Sequence, residues 1–141
     1  MPAPVLGQLL LDTGASRTCI GQNAVRELGL NPLRLQPGFG AGGRHELAVY
    51  RVRMTIRLAH ETSITEIHWE SEAQEIPSLE ESVAPLGLMH SGQPVKLVGL
   101  LGRDILRHAR FLYDGIEGRI EIKFDLDSLN RFSQKGRVVL R

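Results

Sequence analysis

The chain has 141 residues, 42% of them hydrophobic and only 5% aromatic. That is the length of one domain, with an aliphatic composition that suits strands and small barrels and argues against an aromatic-lined nucleic-acid platform. Seventeen Lys and Arg against sixteen Asp and Glu leave a formal net charge of +1, too weak a field to draw the chain onto nucleic acid or an anionic membrane. The single Cys19 excludes an intramolecular disulfide framework and a multi-cysteine metal site, so a cytoplasmic setting is the default expectation.

No stretch approaches the roughly 20 apolar residues that span a bilayer, and the start lacks the basic and apolar runs of a signal peptide. An excised domain of a longer or membrane-anchored protein begins in the same way. Val5 to Leu11 is an apolar run that ends at Asp12-Thr13-Gly14, the pattern of a buried strand opening into a tight turn. Gly21-Gln22-Asn23 leads into Ala24 to Leu28, and Gly29 and Pro32 follow, which predicts a short helix closed by a glycine.

Leu33 to Gln36 is a candidate strand, and the segment from Pro37 to Gly43 (Pro-Gly-Phe-Gly-Ala-Gly-Gly) places four glycines in seven residues, a loop or hairpin tip. Beyond it Tyr50, Val52, Met54, Ile56 and Leu58 alternate with Arg51, Arg53, Thr55 and Arg57, the period of a strand with one dry and one wet face. Thr62 to Glu70 has the pattern of its hairpin partner. Ser71 to Pro94 carries Glu72, Glu75, Glu80 and Glu81 without a sustained period, which predicts a surface excursion with little regular structure or a short helix.

Val95 to Leu101 predicts a strand, Gly102-Arg103-Asp104 a turn, and Ile105 to His108 a helical turn. Phe111 to Tyr113 and Ile120 to Phe124 flank Asp114-Gly115, a hairpin signal. The tail from Asp125 is polar until Val138-Val139-Leu140, a candidate terminal strand. Short strands, glycine turns and little helix predict an all-β domain, a small barrel-like sheet with one or two short helices and no internal repeat.

One constellation has a chemical character. A carboxylate closing a buried apolar strand is costly to desolvate unless hydrogen bonds hold it. Gly14 lets the backbone turn tightly enough to aim amides at Asp12, and Thr13 and Ser16 supply hydroxyls. An Asp-Thr-Gly turn that merely caps a strand is the competing reading. The five histidines, His45, His60, His68, His90 and His108, have no metal-ligand spacing, and Cys19, in an apolar setting, suits the core better than nucleophilic chemistry.

Val98 to Leu106 repeats the logic of apolar strand, glycine turn and short helix. Together, Asp12 to Ser16 and Leu100-Leu101-Gly102-Arg103-Asp104 resemble the retroviral-like aspartic peptidases, whose half-molecules carry Asp-Thr-Gly early and an apolar, apolar, Gly, Arg, Asn or Asp segment late. The glycine-rich Gly38 to Gly43 lies between them, where that family has its flap, so the resemblance covers roughly residues 4 to 125.

The resemblance implies a closed β domain spanning residues 1–141, with 126–141 a tail and possible dimer strand. It implies an endopeptidase active as a homodimer in which Asp12 from each copy is catalytic, and no metal or cofactor is needed. The chain has no second Asp-Thr-Gly, so a two-lobed arrangement within one chain is excluded. Thr13, Gly14, Ala15 and Ser16 would support the site. Phe39, Gly40, Ala41, Gly42 and Gly43 would close over a peptide or protein substrate, although without the other motifs a flexible hairpin turn is the favoured reading of this segment. Gly102, Arg103 and Asp104 would be structural. In the viral enzymes the arginine pairs with an acid at the position of Ser16, so here Asp104 or a residue of the second copy would replace that partner. The alternative is a module that keeps this fold for peptide binding or dimerisation without cleavage. A weaker third is a surface adaptor using the glutamate-rich Ser71 to Glu81.

Overall fold

The computed structural model describes residues 3–40, 43–59 and 64–133. Ten strands and four short α-helices make up these residues, so the all-β expectation holds while the helix count exceeds it. The chain forms two compact units, one of residues 1–50 and 73–104, the other of 51–72 and 105–141.

In the first unit, β1 (Gln8–Leu11), β2 (Cys19–Gly21), β3 (Arg34–Gly40) and β8 (Leu97–Leu101) join parts of β4 (Gly43–Ala59) and β5 (Ile64–Ile76). The strand order is β1-β8-β2-β5-β4-β3. This sheet is open, with β1 and β3 at its edges, and corrects the expectation of a closed barrel. Pro37 lies within β3 and has no N–H to offer a further strand, which suits an edge position.

Helix α1 (Gln22–Leu28) ends as its sequence predicts, on Gly29 in the left-handed conformation, and buries Ala24 and Val25. Ile20, Val49, Ala73, Leu79, Leu97, Leu100 and Leu101 complete this unit's core. The expected irregular excursion is corrected: Ser71 to Ile76 continues β5. Helix α2 (Leu79–Val83) and a 3₁₀ turn at Ala84–Leu86 follow, and then the two-residue strands β6 (Met89–His90) and β7 (Gln93–Pro94) pair. Leu79 anchors α2 by burial, and Glu80 and Glu81 in its first turn complement the helix dipole. The apolar Ile76 and Leu79 are spaced by turn residues, which hides them from any periodic pattern.

The second unit holds the outer parts of β4 and β5, where the alternation is realised. Val52, Ile67 and Trp69 are buried, and on the wet face Arg53 Nε donates to Glu70 at 3.0 Å and Arg57 Nε to Glu66 at 2.8 Å. Helix α3 (Arg103–Leu106) carries the fully buried Ile105. Strands β9 (Ala109–Asp114) and β10 (Arg119–Phe124) form the predicted hairpin as a separate two-stranded sheet.

Helix α4 (Leu126–Ser133) replaces the expected polar tail. Asp125 Oδ1 accepts the Ser128 amide at 3.0 Å, an N-terminal cap, and Leu129 is buried. The candidate strand at Val138 to Leu140 lies outside the described residues. Among the described residues no helix is long and apolar enough to cross a membrane.

Candidate active site

Strand β1 runs parallel to β8, with Leu9 beside Gly99, Leu10 beside Leu100 and Leu11 beside Leu101. The Asp12 amide extends this ladder by donating to the Leu101 carbonyl at 3.1 Å. Pairing ends there because the chain turns, and the Ala15 amide donates back to the Asp12 carbonyl at 3.2 Å. The half-buried Asp12 carboxylate faces into that turn, where Oδ1 accepts the Gly14 amide at 2.8 Å and the Ala15 amide at 3.1 Å.

Gly14 suits this closeness, since a Cβ there would stand 3.1 Å from the carboxylate oxygen it serves and would press on it. Two backbone amides therefore hold the carboxylate. The hydroxyls of Thr13 and Ser16, expected in that shell, make no hydrogen bond to it among the described residues, and both residues are exposed.

The buried hydroxyl is that of Thr18, which is fully inaccessible. Its Oγ1 accepts the Gly102 amide at 3.1 Å and donates to Asp104 Oδ1 at 2.8 Å, while its own amide donates to the same oxygen at 2.9 Å. Sequence reasoning did not single out Thr18. Its signal was a β-branched hydroxyl residue placed directly before the apolar Cys19-Ile20 pair.

Gly102 fits because nothing larger can: a Cβ would overlap the carbonyl group of Arg17. Arg103 then reaches back to the turn. Its amide donates to the Ala15 carbonyl at 2.9 Å and its Nη1 to the Thr13 carbonyl at 3.2 Å. The partner sought for this arginine is thus the backbone of the Asp-Thr-Gly loop, which replaces the acid that Ser16 does not provide.

Cys19 follows Thr18, and burial pushes its thiol up to about 11, with the carboxylates of Asp104 and Asp12 adding to the effect. A thiol held protonated is a poor nucleophile, in keeping with a packing role. Among the described residues, no three His, Cys, Asp or Glu side chains stand together as ligands for a metal ion.

At the other edge of the sheet, β3 and β4 form the expected hairpin, with Gly38 opposite His45, Phe39 opposite Arg44 and Gly40 opposite Gly43. Gly43 has φ +97°, with open space where a side chain would be. Ala41 and Gly42 lie outside the described residues. The Asp12 loop and the Gly102 to Asp104 segment are thus brought together, while the hairpin is a separate feature of the same sheet.

A family model described as aspartyl protease matches residues 4–105, which takes in the Asp12 loop, the β3–β4 hairpin and the Gly102 motif. The chain belongs to the aspartyl protease family. No curated protein and no solved structure matches it. Membership supports a protease-type activity and the all-β class. In this chain the late Gly-Arg-Asp segment is the hydrogen-bonded support of the early Asp-Thr-Gly turn.

Proposed function

We propose that the protein is an aspartic endopeptidase active as a homodimer, with Asp12 of each copy supplying one half of a catalytic pair. The observation that carries this reading is the Asp12 carboxylate held at the end of β1 by the amides of Gly14 and Ala15. These two bonds fix the orientation of Oδ1, and among the described residues the second oxygen accepts no hydrogen bond, which suits it to water or substrate. Family membership supports the same reading.

One carboxylate does half of the chemistry. Two brought close share a single proton, because like charges at short range do not both ionise cheaply. The ionised one takes a proton from a bridging water, whose oxygen attacks the scissile carbonyl carbon. The protonated one donates to the carbonyl oxygen, and collapse of the tetrahedral intermediate passes a proton to the departing amine. In this scheme Thr13 links the two loops, Gly14 offers its backbone to the peptide, and Phe39 to Gly43 close over it, glycine allowing the bend at low steric cost.

The test is cleavage of a diverse peptide library between acidic and neutral pH by the wild type and Asp12→Asn. Asparagine keeps an oxygen for both amides but neither ionises nor shares a proton. Loss of cutting by a factor of about 10³ or more, with an acidic optimum in the wild type, is expected. Peptide binding without cleavage by either chain would instead establish a binding module.

A further inference from the structure

Four residues line up across the sheet from the Asp12 loop. Leu10 stands beside Leu100, Leu100 beside Cys19, and Cys19 beside Gln74, one on each of β1, β8, β2 and β5. Residues in register share a side of the sheet, so all four face the same way. Asp12 lies two residues beyond Leu10. Three strand spacings separate Leu10 from Gln74, roughly 14 Å, a span that about four residues of extended peptide cover.

Gln74 is the amide of this row, and its donor is orphaned. Nε2 is inaccessible and has no hydrogen-bond partner among the described residues. Its neighbour in the row does not serve it, since the Cys19 thiol donates to the Arg17 carbonyl at 3.6 Å. A buried donor without an acceptor weakens a fold, and native interiors hold few of them. One that persists beside a candidate site points to a partner from outside the chain.

The surroundings are shaped for that amide. A Cβ on Gly38 would stand 2.6 Å from Leu47 Cδ1 and 2.8 Å from Gln74 Nε2, so the amide lies in space that β3 leaves by having no side chain there. Gly38 has no positive φ, and room is what this glycine provides. The same closeness puts Gln74 on the side of the β3–β4 hairpin that carries Gly38 and Leu47. Arg34 and His45 belong to that side by register, and Glu46 to the other. Glu75 also falls on the opposite side, where its Oε2 accepts from the Tyr50 hydroxyl at 3.3 Å. A donor amid cations, with the neighbouring acids turned away, suits an acceptor that carries negative charge.

We propose that Gln74 is a specificity-determining residue whose amide donates to the carboxylate of an aspartate or glutamate side chain in the peptide. Its last torsion is soft, so Nε2 can turn from the space beside Gly38 toward an incoming oxygen. This role rests on the reading of Asp12 as part of a peptide site and adds one feature of that peptide. A methionine or leucine side chain would pack against the row but leave the amide unpaired, and a site with an unpaired polar group rejects the ligand that fails to satisfy it.

The test is selection of bound sequences from short randomised peptides by the Asp12→Asn chain at pH 7, where no cutting intervenes. At one position, Asp and Glu should be enriched about tenfold over Met and Leu. With Gln74→Met added, that enrichment should vanish at that position while preferences elsewhere in the peptide persist; a merely structural loss would weaken all positions together. Gln74→Glu keeps the shape and reverses the charge, so the same position should turn to Lys and Arg. That gain is readable even where Gln74→Met lowers the melting temperature.

Acid enrichment that survives both variants overturns the proposal, as does the lack of any position that favours acids. A chain that holds no peptide removes it together with the peptidase reading. Acidic preference in the selection without cutting by the wild type would sink the peptidase reading alone, and cutting without acidic preference would sink this one alone.

Discussion

The two edges of the six-stranded sheet are built in opposite ways. After β1, the Asp12 turn and the Gly102 to Asp104 segment bind each other through backbone amides, the buried Thr18 hydroxyl and Arg103, with no room for a Cβ at Gly102. At the other edge, the β3–β4 hairpin pairs to Gly40 and Gly43, and Gly43 stands in open space with a positive φ. Both regions use glycine, for different physical reasons. In the turn it makes close approach possible, and in the hairpin it makes an unusual dihedral inexpensive. On the proposed peptidase reading, a carboxylate that must keep its orientation calls for the first kind of surrounding, and a segment that covers a peptide and releases it calls for the second.

Four variants and conditions sharpen this contrast. Gly102→Ala forces a methyl group into the Arg17 carbonyl and should cost about 3 kcal/mol, read as a lowered midpoint in urea unfolding. An unchanged midpoint would mean that the two segments are not rigidly held. Thr18→Val keeps the shape but leaves the Gly102 amide and the Asp104 carboxylate short of a partner, and a loss of about 2 kcal/mol is expected. Thr18→Ser should recover most of it, which distinguishes the hydroxyl from the methyl.

Cys19 reports how dry the base of the turn is. Its thiol titrates near 9.0 when unfolded and at about 11 in the fold, so the folded chain keeps a proton that the unfolded chain releases between these values. The stability contribution is therefore intact below pH 9 and is lost as pH rises toward 11, by about 1–2 kcal/mol once partial solvent contact is allowed for. Thiol labelling at pH 8 should be correspondingly slow in the folded chain, and labelling as fast as in urea would break the picture. The smallest effect belongs to the hairpin. Gly43→Ala should cost about 1 kcal/mol through its dihedral alone, and any change in peptide cleavage should be larger than that in stability.

Much of this was legible in the chain. The Asp-Thr-Gly turn, the α1 helix with its glycine stop, the alternating β4 strand and the β9–β10 hairpin all follow from local rules that involve few neighbouring residues. Ser71 to Ile76 was not legible as strand, because β5 pairs with both β2 and β4 and its apolar side chains answer to two partners far away in sequence. Helix α4 was missed although Asp125 three residues before Ser128 is a capping signal, since its sequence is short and largely polar.

The site divides along the same line. Sequence by itself determined which carboxylate ends the first strand, that Gly14 follows it, and that a Gly-Arg-Asp segment comes late, because these are matters of residue type and spacing. Only the tertiary structure decided that Arg103 serves the loop's carbonyls, that Thr18 rather than Thr13 or Ser16 is the buried hydroxyl, and that the sheet stays open. Those outcomes depend on which backbone groups meet across about 85 to 90 residues of chain, and a hydrogen bond made at that separation leaves no period to read.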